Sequence, residues 1–306
     1  MKKITIWMAM AAMMLASCSN DENDMIGNVD NLDSNVISLS SNINEGQITR
    51  ANLSDAEAQN TQFVSGMSIK VEAYKTGTST AYTTGNYTTG SGGSMTGSLY
   101  YPASGENIDI CAYYPNTVTS STTSFSVGAT QTSAANYQSY DLMYATKLTN
   151  KAKGSTHALT FKHALTKIIV NLTAGNGVTS SDLTSYVTAV KIKNTKPTAG
   201  FTISAGAPGT ITASGTAADI DITGSTKTSS HCGIIVPQPL AANTEFIAIT
   251  YNGNTYTYKL AAATTFEKGK VYTYTITVNA TGISVSSAEI TNWTSGGSAV
   301  SGSITI

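Results

Sequence analysis

Charged side chains are scarce in this sequence. Asp, Glu, Lys and Arg together make up 11% of its 306 residues, and the formal net charge is −1. No basic block suggests nucleic acid as a partner, and no run of like charge suits a polyelectrolyte. Low charge together with many Thr, Ser and Tyr residues favours strands over helices. The composition is therefore typical of an extracellular all-β protein that does not bind nucleic acid.

Residues that commonly form metal sites or active sites are also few. No two of the three histidines have the spacing of a zinc site. His163 alternates with Phe161 and Leu165, which indicates a packed strand residue rather than a ligand. Asp219 and Asp221 lie on one side of a predicted strand, where such carboxylates are ordinarily solvated surface. Because no nucleophile elbow, phosphate loop or dinucleotide fingerprint occurs, the sequence predicts no enzyme, no cofactor and no metal.

Only three cysteines are present, so a disulfide framework is excluded. Cys111 and Cys232 lie in different halves of the chain. An oxidising compartment would allow a bridge between them, but cysteine packs well as a small hydrophobe. We therefore expect two buried thiols and a fold that does not depend on disulfides.

Long apolar runs are absent, since none approaches the ~20 residues of a membrane-spanning helix. The longest run, residues 4–14, follows two lysines and has the length of a signal-peptide core. Leu15-Ala16-Ser17-Cys18 then has the pattern of a lipobox, whose cysteine accepts a lipid before cleavage. We predict a signal peptide over residues 1–17 and lipidation at Cys18, which would anchor the chain in a membrane. The alternative is an ordinary signal peptide with an incidental cysteine.

Alternation of apolar and polar residues predicts many short strands. It is clear over residues 67–74, 108–114 and 272–278, and Asn252-Gly253-Asn254 indicates a tight hairpin. Residues 37–43 alternate more weakly and predict one or two short strands near the start of the body.

The division into domains is predicted from a polar stretch at residues 150–155. It separates an N-terminal β-sandwich over residues 51–155 from a C-terminal one over residues 156–306. Along residues 159–172 the alternation changes parity, which predicts a β-bulge near Thr166. Short strands with turn signals and almost no helix favour two antiparallel sandwiches in tandem.

Four features, in this order, resemble the fimbrillin family, which comprises the subunits of type V pili and related lipoproteins. They are the lipobox at Cys18, the junction Ile48-Thr49-Arg50-Ala51, the pair Asp141-Leu142-Met143-Tyr144-Ala145 and Leu159-Thr160-Phe161-Lys162-His163-Ala164-Leu165, and the tail from Gly269-Lys270-Val271-Tyr272 to Trp293. The resemblance covers nearly the whole chain. It implies two transthyretin-like β-sandwich domains and a structural role in an adhesive surface fimbrium, exported as a lipoprotein of the cell outer membrane.

The resemblance also implies how the subunits would join. In the family, cleavage at the junction releases the anchor and an N-terminal strand, and a neighbour's C-terminal segment fills the groove. Arg50 is the only arginine, so an arginine-specific protease would cut once, between Arg50 and Ala51, after a tether and pro-segment of residues 18–50. A chance residue in an exposed loop is the alternative interpretation.

The predicted donor strand lies at the C-terminus. Val300, Ile304 and Ile306 alternate with small polar residues in an uncharged segment that follows two glycines. The partners implied are other pilin subunits, with accessory tip and anchor subunits, and the outer membrane through the lipid. The alternative function is a permanently anchored surface lipoprotein that acts as an adhesin or tip subunit and binds a glycan or host ligand.

Overall fold

The chain folds almost entirely into β-strands. The computed structural model describes residues 35–43, 63–224, 229–293 and 302–303. Two short α-helices accompany the strands in these ranges, α1 (Ala134–Ser139) and α2 (Ser180–Tyr186). This confirms the all-β class that the low charge and the abundant β-branched residues predicted.

The strands of the first half are β1 (Leu39–Ile43), β2 (Ser68–Lys75), β3 (Ala81–Thr89), β4 (Ser94–Thr96), β5 (Ile108–Tyr114), β6 (Ser124–Ser126), β7 (Met143–Ala145), β8 (Leu148–Lys151) and β9 (His157–His163). Those of the second half are β10 (Thr166–Ala174), β11 (Val187–Thr195), β12 (Thr198–Gly200), β13 (Ile203–Ser204), β14 (Ala207–Pro208), β15 (Thr212–Ser214), β16 (Ala218–Asp221), β17 (Ser230–Ile235), β18 (Gln238–Leu240), β19 (Glu245–Tyr251), β20 (Asn254–Lys259), β21 (Thr264–Phe266), β22 (Lys270–Asn279), β23 (Gly282–Asn292) and β24 (Gly302–Ser303).

Seven strands of the first half close into a ring. Their order is β2-β3-β4-β1-β9-β7-β5, and β2 also pairs with β5, while β8 attaches to β5 beside the ring. The pairing of β1 with β9 is parallel. The expected pair of transthyretin-like sandwiches is thus not confirmed for this half. Alternation along a strand is the same in a barrel wall and in a sandwich, so the sequence could not distinguish them.

The ring shares a wall with the second half. All of β5 is buried, with Ile110 and Ala112 in the core inside the ring. Between them Cys111, together with Tyr113, belongs to the core of the second half. A strand buried on both faces carries apolar side chains at successive positions, as β5 does from Ile110 to Tyr114. The two halves are therefore packed directly against each other.

The second half is built on two larger sheets. One has the order β17-β10-β22-β23-β24 and the other the order β16-β11-β19-β20. Val170 and Ile276 of the first sheet lie in the same core as Val190 and Ile249 of the second. A smaller sheet, β15-β12-β6, includes one strand from the first half of the chain.

The chain passes from the ring to the second half between His163 and Thr166. β9 pairs with β1 and β7, whereas β10 pairs with β17 and β22. The bulge predicted near Thr166 is therefore wrong, because the change of parity marks a passage between two sheets. β9 lies in the ring, although the predicted division near residue 155 assigned it to the second domain.

The predicted hairpin at Asn252-Gly253-Asn254 is confirmed. It joins β19 to β20, with Tyr251 and Asn254 paired across the turn. Asn252 and Gly253 have φ values of 46° and 78°. Both are left-handed, as a two-residue turn of this kind requires, and Asn and Gly adopt that conformation at low cost.

Candidate functional site: the slot of the first strand

β1 lies in the ring between β4 and β9, and we call the space filled by residues 37–43 the β1 slot. Ile37, Leu39, Ser41 and Ile43 face the core, with exposed fractions of 0%, 3%, 6% and 1%. The residues between them are half-buried or exposed. This confirms a strand in the weakly alternating stretch before Arg50. Burying each of the three aliphatic side chains is worth roughly 1.5–3 kcal/mol before ordering costs.

The backbone of β1 is paired on both sides. All of β1 is in parallel register with β9, where Leu39 lies beside His157. On the other side Leu39 lies beside Met95 of β4, and Ile37 N donates to Leu99 O at 2.8 Å. Removing β1 would therefore open the ring and leave two sheet edges without partners.

Tyr87 lies along one wall of the β1 slot. Its hydroxyl donates to the carbonyl oxygen of Ile37 at 2.7 Å. Its ring lies so close to Gly97 that a Cβ there would be 2.5 Å from a ring carbon. Burial raises the pKa of Tyr87 to about 12. The hydroxyl thus stays protonated at physiological pH, and a strand in the slot must offer it an acceptor.

His157 lies directly beside β1 on the opposite wall. Its backbone N donates to Ser38 O at 2.9 Å, and its Nε2 atom lies 2.7 Å from the Tyr101 hydroxyl. That hydroxyl also donates to Ala152 O at 2.9 Å. Burial lowers the pKa of His157, with a smaller opposing effect from the Ala152 carbonyl. The imidazole is therefore held in its neutral form while the slot is filled.

At Ser41 the β1 slot is bordered by a tight turn. The Ser41 hydroxyl donates to Gly93 O at 3.4 Å, in the 3-10 turn Ser91–Gly93. A Cβ on Gly93 would lie only 2.3 Å from the Ser41 carbonyl oxygen. A larger side chain in place of Ser41 would press into this turn. From Ile37 to Ile43 the slot thus holds an apolar, an apolar, a small and an apolar side chain.

The residues that the sequence predicted for lipidation and processing, Cys18, Arg50 and Ala51, lie outside the described residues. Their order along the chain is nonetheless informative. β1 precedes Arg50, and every other described strand follows it. A cut between Arg50 and Ala51 would separate β1 covalently from the rest of the ring.

The predicted donor residues Val300, Ile304 and Ile306 also lie outside the described residues. Two residues between them are described. Gly302 and Ser303 form β24, which pairs antiparallel with Ile290 and Glu289 of β23. This part of the tail therefore lies on the edge of the subunit's own sheet.

A second polar cluster lies where the two halves meet, and sequence analysis missed it. His163 Nδ1 donates to Asp141 Oδ1 at 2.9 Å, and both side chains are fully buried. The His163 ring stacks on Trp293 with centroids 3.7 Å apart, and Trp293 N donates to Gly269 O at 2.8 Å. We call Asp141, His163, Gly269 and Trp293 the junction cluster, after the junction between the two halves of the fold. Two of the four features that carried the family resemblance, the paired motifs and the tail, therefore meet in space.

The remaining candidates are structural. Asp219 Oδ1 and Asp221 Oδ1 accept hydrogen bonds from the backbone of Asn194 and Thr223, at 3.4 and 2.9 Å. No disulfide joins Cys111 to Cys232; Cys111 is buried as expected, whereas Cys232 is only half-buried. Within the described ranges, no group of His, Cys, Asp and Glu side chains could hold a metal ion. In the same ranges no helix has both the length and the apolar character needed to cross a membrane.

The ring, the β1 slot and the two-sheet second half define an all-β protein whose N-terminal ring is closed by its first strand. The chain matches the model of the fimbrillin-like family over residues 49–293, and it belongs to that family. This confirms the resemblance seen in the sequence motifs. The family is a structural one of fimbrial and adhesion proteins rather than an enzyme family.

One curated relative is described as a candidate fimbrium subunit, Fim1C, from Bacteroides uniformis. It is 30% identical over 214 residues, which cover 65% of this chain and 66% of that protein. The chain thus matches just under two thirds of that relative's length.

Two solved structures share the fold, and both are described as candidate cell adhesion proteins. The one from Bacteroides uniformis has a TM-score of 0.63 and 23% identity, covering 86% of this chain and 99% of its own. The one from Bacteroides ovatus has a TM-score of 0.61 and 21% identity, covering 84% and 97%.

Proposed function

We propose that the chain is a structural subunit of an adhesive surface fimbrium. It is exported as a lipoprotein held in the outer membrane through Cys18, and it is cut between Arg50 and Ala51. It then polymerises with other pilin subunits when a neighbour's C-terminal segment enters the β1 slot. The observation that carries this proposal is that β1, the strand that closes the ring, precedes Arg50 in the chain.

The cut changes what holds β1 in place. Before cleavage β1 is tethered to the ring, so its effective concentration at the slot is high and it returns whenever it leaves. After cleavage only its side-chain burial and its backbone pairing retain it. A neighbour's strand with similar contacts can then replace it permanently.

An empty β1 slot would be unstable, which supports polymerisation as the outcome. Its edges on β4 and β9 would lack partners, and the core around Tyr87 and Phe161 would open to water. Strand addition restores both the pairing and the burial. The relationship to a candidate fimbrium subunit supports the same assignment.

N-terminal sequencing of fimbriae sheared from cells tests the proposal. We expect the subunits to begin at Ala51. The variant Arg50→Ala should leave lipidated monomers on the surface and no fimbriae, whereas Lys153→Ala, a control at an exposed lysine, should polymerise normally. Intact fimbriae built from subunits that begin at Cys18 would refute the proposal.

The pairing of β24 favours a second candidate function. If the C-terminal tail belongs to the subunit's own sheet, as Gly302 and Ser303 do, the chain would be an anchored adhesin or tip subunit that donates no strand. Deleting residues 298–306 separates the two functions. A stable monomer that no longer polymerises supports the stalk subunit, and loss of the monomer supports the anchored adhesin.

A further inference from the structure

We infer that the C-terminal segment enters the neighbour's β1 slot in the direction opposite to β1. It would place Ile306, Ile304, Gly302 and Val300 where Ile37, Leu39, Ser41 and Ile43 now lie. This inference rests on the proposed function and adds to it the direction and the register of the incoming strand.

The first argument is the order of side-chain sizes. From Ile37 to Ile43 the slot holds an apolar, an apolar, a small and an apolar side chain, and the small one lies against Gly93. Every second residue of the tail, read backwards from Ile306, gives the same order of side-chain sizes, with Gly302 as the small one. All four positions then match.

The forward direction fits less well. Placing Gly302 at Ser41 puts Val300 at Leu39 and Ile304 at Ile43, but leaves Ser298 at the position of Ile37. That position is fully buried, and its carbonyl accepts the Tyr87 hydroxyl. A serine there would leave a cavity and a buried hydroxyl in the core.

The second argument comes from the number of strands in the ring. A closed ring with an odd number of strands must contain at least one parallel neighbouring pair. Here it is the pair of β1 and β9, which is in continuous register over five residues. On its other side the slot segment pairs antiparallel in two separate pieces, Val36 with Tyr100 and Leu39–Ser40 with β4. Parallel pairing is slightly weaker per residue. Reversing the strand makes the continuous pairing antiparallel and moves the parallel pairing to the interrupted contact.

Disulfide trapping between neighbouring subunits tests the direction. Ser40 lies beside Ala158, and Asn42 lies beside Thr160, with side chains on the outer face. The reversed strand places Ser303 beside Ala158 and Ser301 beside Thr160. Adjacent strands bring Cα atoms within the range that a disulfide spans.

Fimbriae are sheared from cells that express the full chain with one cysteine pair, oxidised, and run on denaturing gels without reductant. We expect covalent ladders from Ala158→Cys with Ser303→Cys, and from Thr160→Cys with Ser301→Cys. The exchanged pairs, Ala158→Cys with Ser301→Cys and Thr160→Cys with Ser303→Cys, should give none. Each single variant controls for bonds to Cys111 and Cys232.

The outcomes separate the inference from the proposed function. Ladders from the exchanged pairs alone would overturn the direction and retain strand exchange. Fimbriae that form without any ladder would overturn both. If a cysteine pair prevents assembly, two single substitutions distinguish the two directions. Ile306→Ser should shorten the fimbriae, and Ser298→Lys should leave their length unchanged. The opposite result would overturn the reversed register.

Discussion

Ser41 lies against the Ser91–Gly93 turn, so we expect the slot to tolerate only a small side chain at this position. The variant Ser41→Ile would force a branched side chain against the Ser91–Gly93 turn, and we expect a loss of about 1–3 kcal/mol of unfolding free energy from overpacking. Ser41→Ala should cost less, because it loses one long hydrogen bond and adds no volume. Urea unfolding of the uncleaved chain, with Cys18→Ala to remove the lipid, measures both. Equal losses would contradict a size limit at this position.

His157 should make the closed ring sensitive to acid. Burial holds its pKa below the ordinary 6.5, so the unfolded chain binds a proton at a higher pH than the folded one. The contribution of the neutral imidazole is fully present above pH 6.5 and is lost as the pH falls through the folded pKa. We therefore expect the urea midpoint to fall between pH 7.5 and 5, and to fall less in His157→Gln. An unchanged pH dependence in that variant would show that other groups dominate.

The burial of single residues could be predicted from the sequence better than the partners that they contact. The burial of His163 in a strand followed from its alternation with Phe161 and Leu165. Its partner Asp141 did not, because the two residues meet only after β7 and β9 pair. Likewise, the weak alternation at Ile37 and Leu39 predicted a strand but gave no indication that it closes a ring.

Among the elements, the turn Ser91–Gly93 packs against β1 at Ser41. Gly93 has φ of 80° and approaches Ser41 so closely that Gly93→Ala would be both strained and blocked. Gly92→Ala is the matched control, since Gly92 has φ of 66° but open space around it. We expect Gly92→Ala to cost about 1 kcal/mol and Gly93→Ala clearly more. Thermal unfolding of the two variants side by side checks the difference, and equal melting temperatures would contradict the close approach.

The strands themselves were largely predictable, whereas their partners were not. Alternation predicted β2, β5 and β22, and the Asn-Gly turn predicted the pairing of β19 with β20. Local patterns determine such elements. Ring closure depends on contacts such as Leu39 with His157, which are distant in sequence, and no local pattern specifies them. The parity change near Thr166 was interpreted as a bulge for the same reason.

For the whole molecule, the junction cluster is the place where a single change should have the widest effect. Trp293 is 2% exposed and stacks on His163, so Trp293→Ala would leave a cavity between the halves. We expect a loss of about 3–5 kcal/mol of unfolding free energy, as for other buried aromatic residues. Trp293→Phe keeps a stacking ring and should lose less. If Trp293→Ala unfolds at the wild-type urea concentration, the cluster does not hold the halves together.

The shared wall has a mechanical consequence for a fibre. A pull along the fibre axis would enter each subunit through the strand in the β1 slot and leave through the chain beyond Trp293. Between these points the two halves are packed against each other at β5, so within the described residues no flexible linker separates them. Tension parallel to a strand also stretches all its ladder bonds together instead of peeling them one by one. Such a fibre would behave as a stiff cable that keeps its length until its subunits yield.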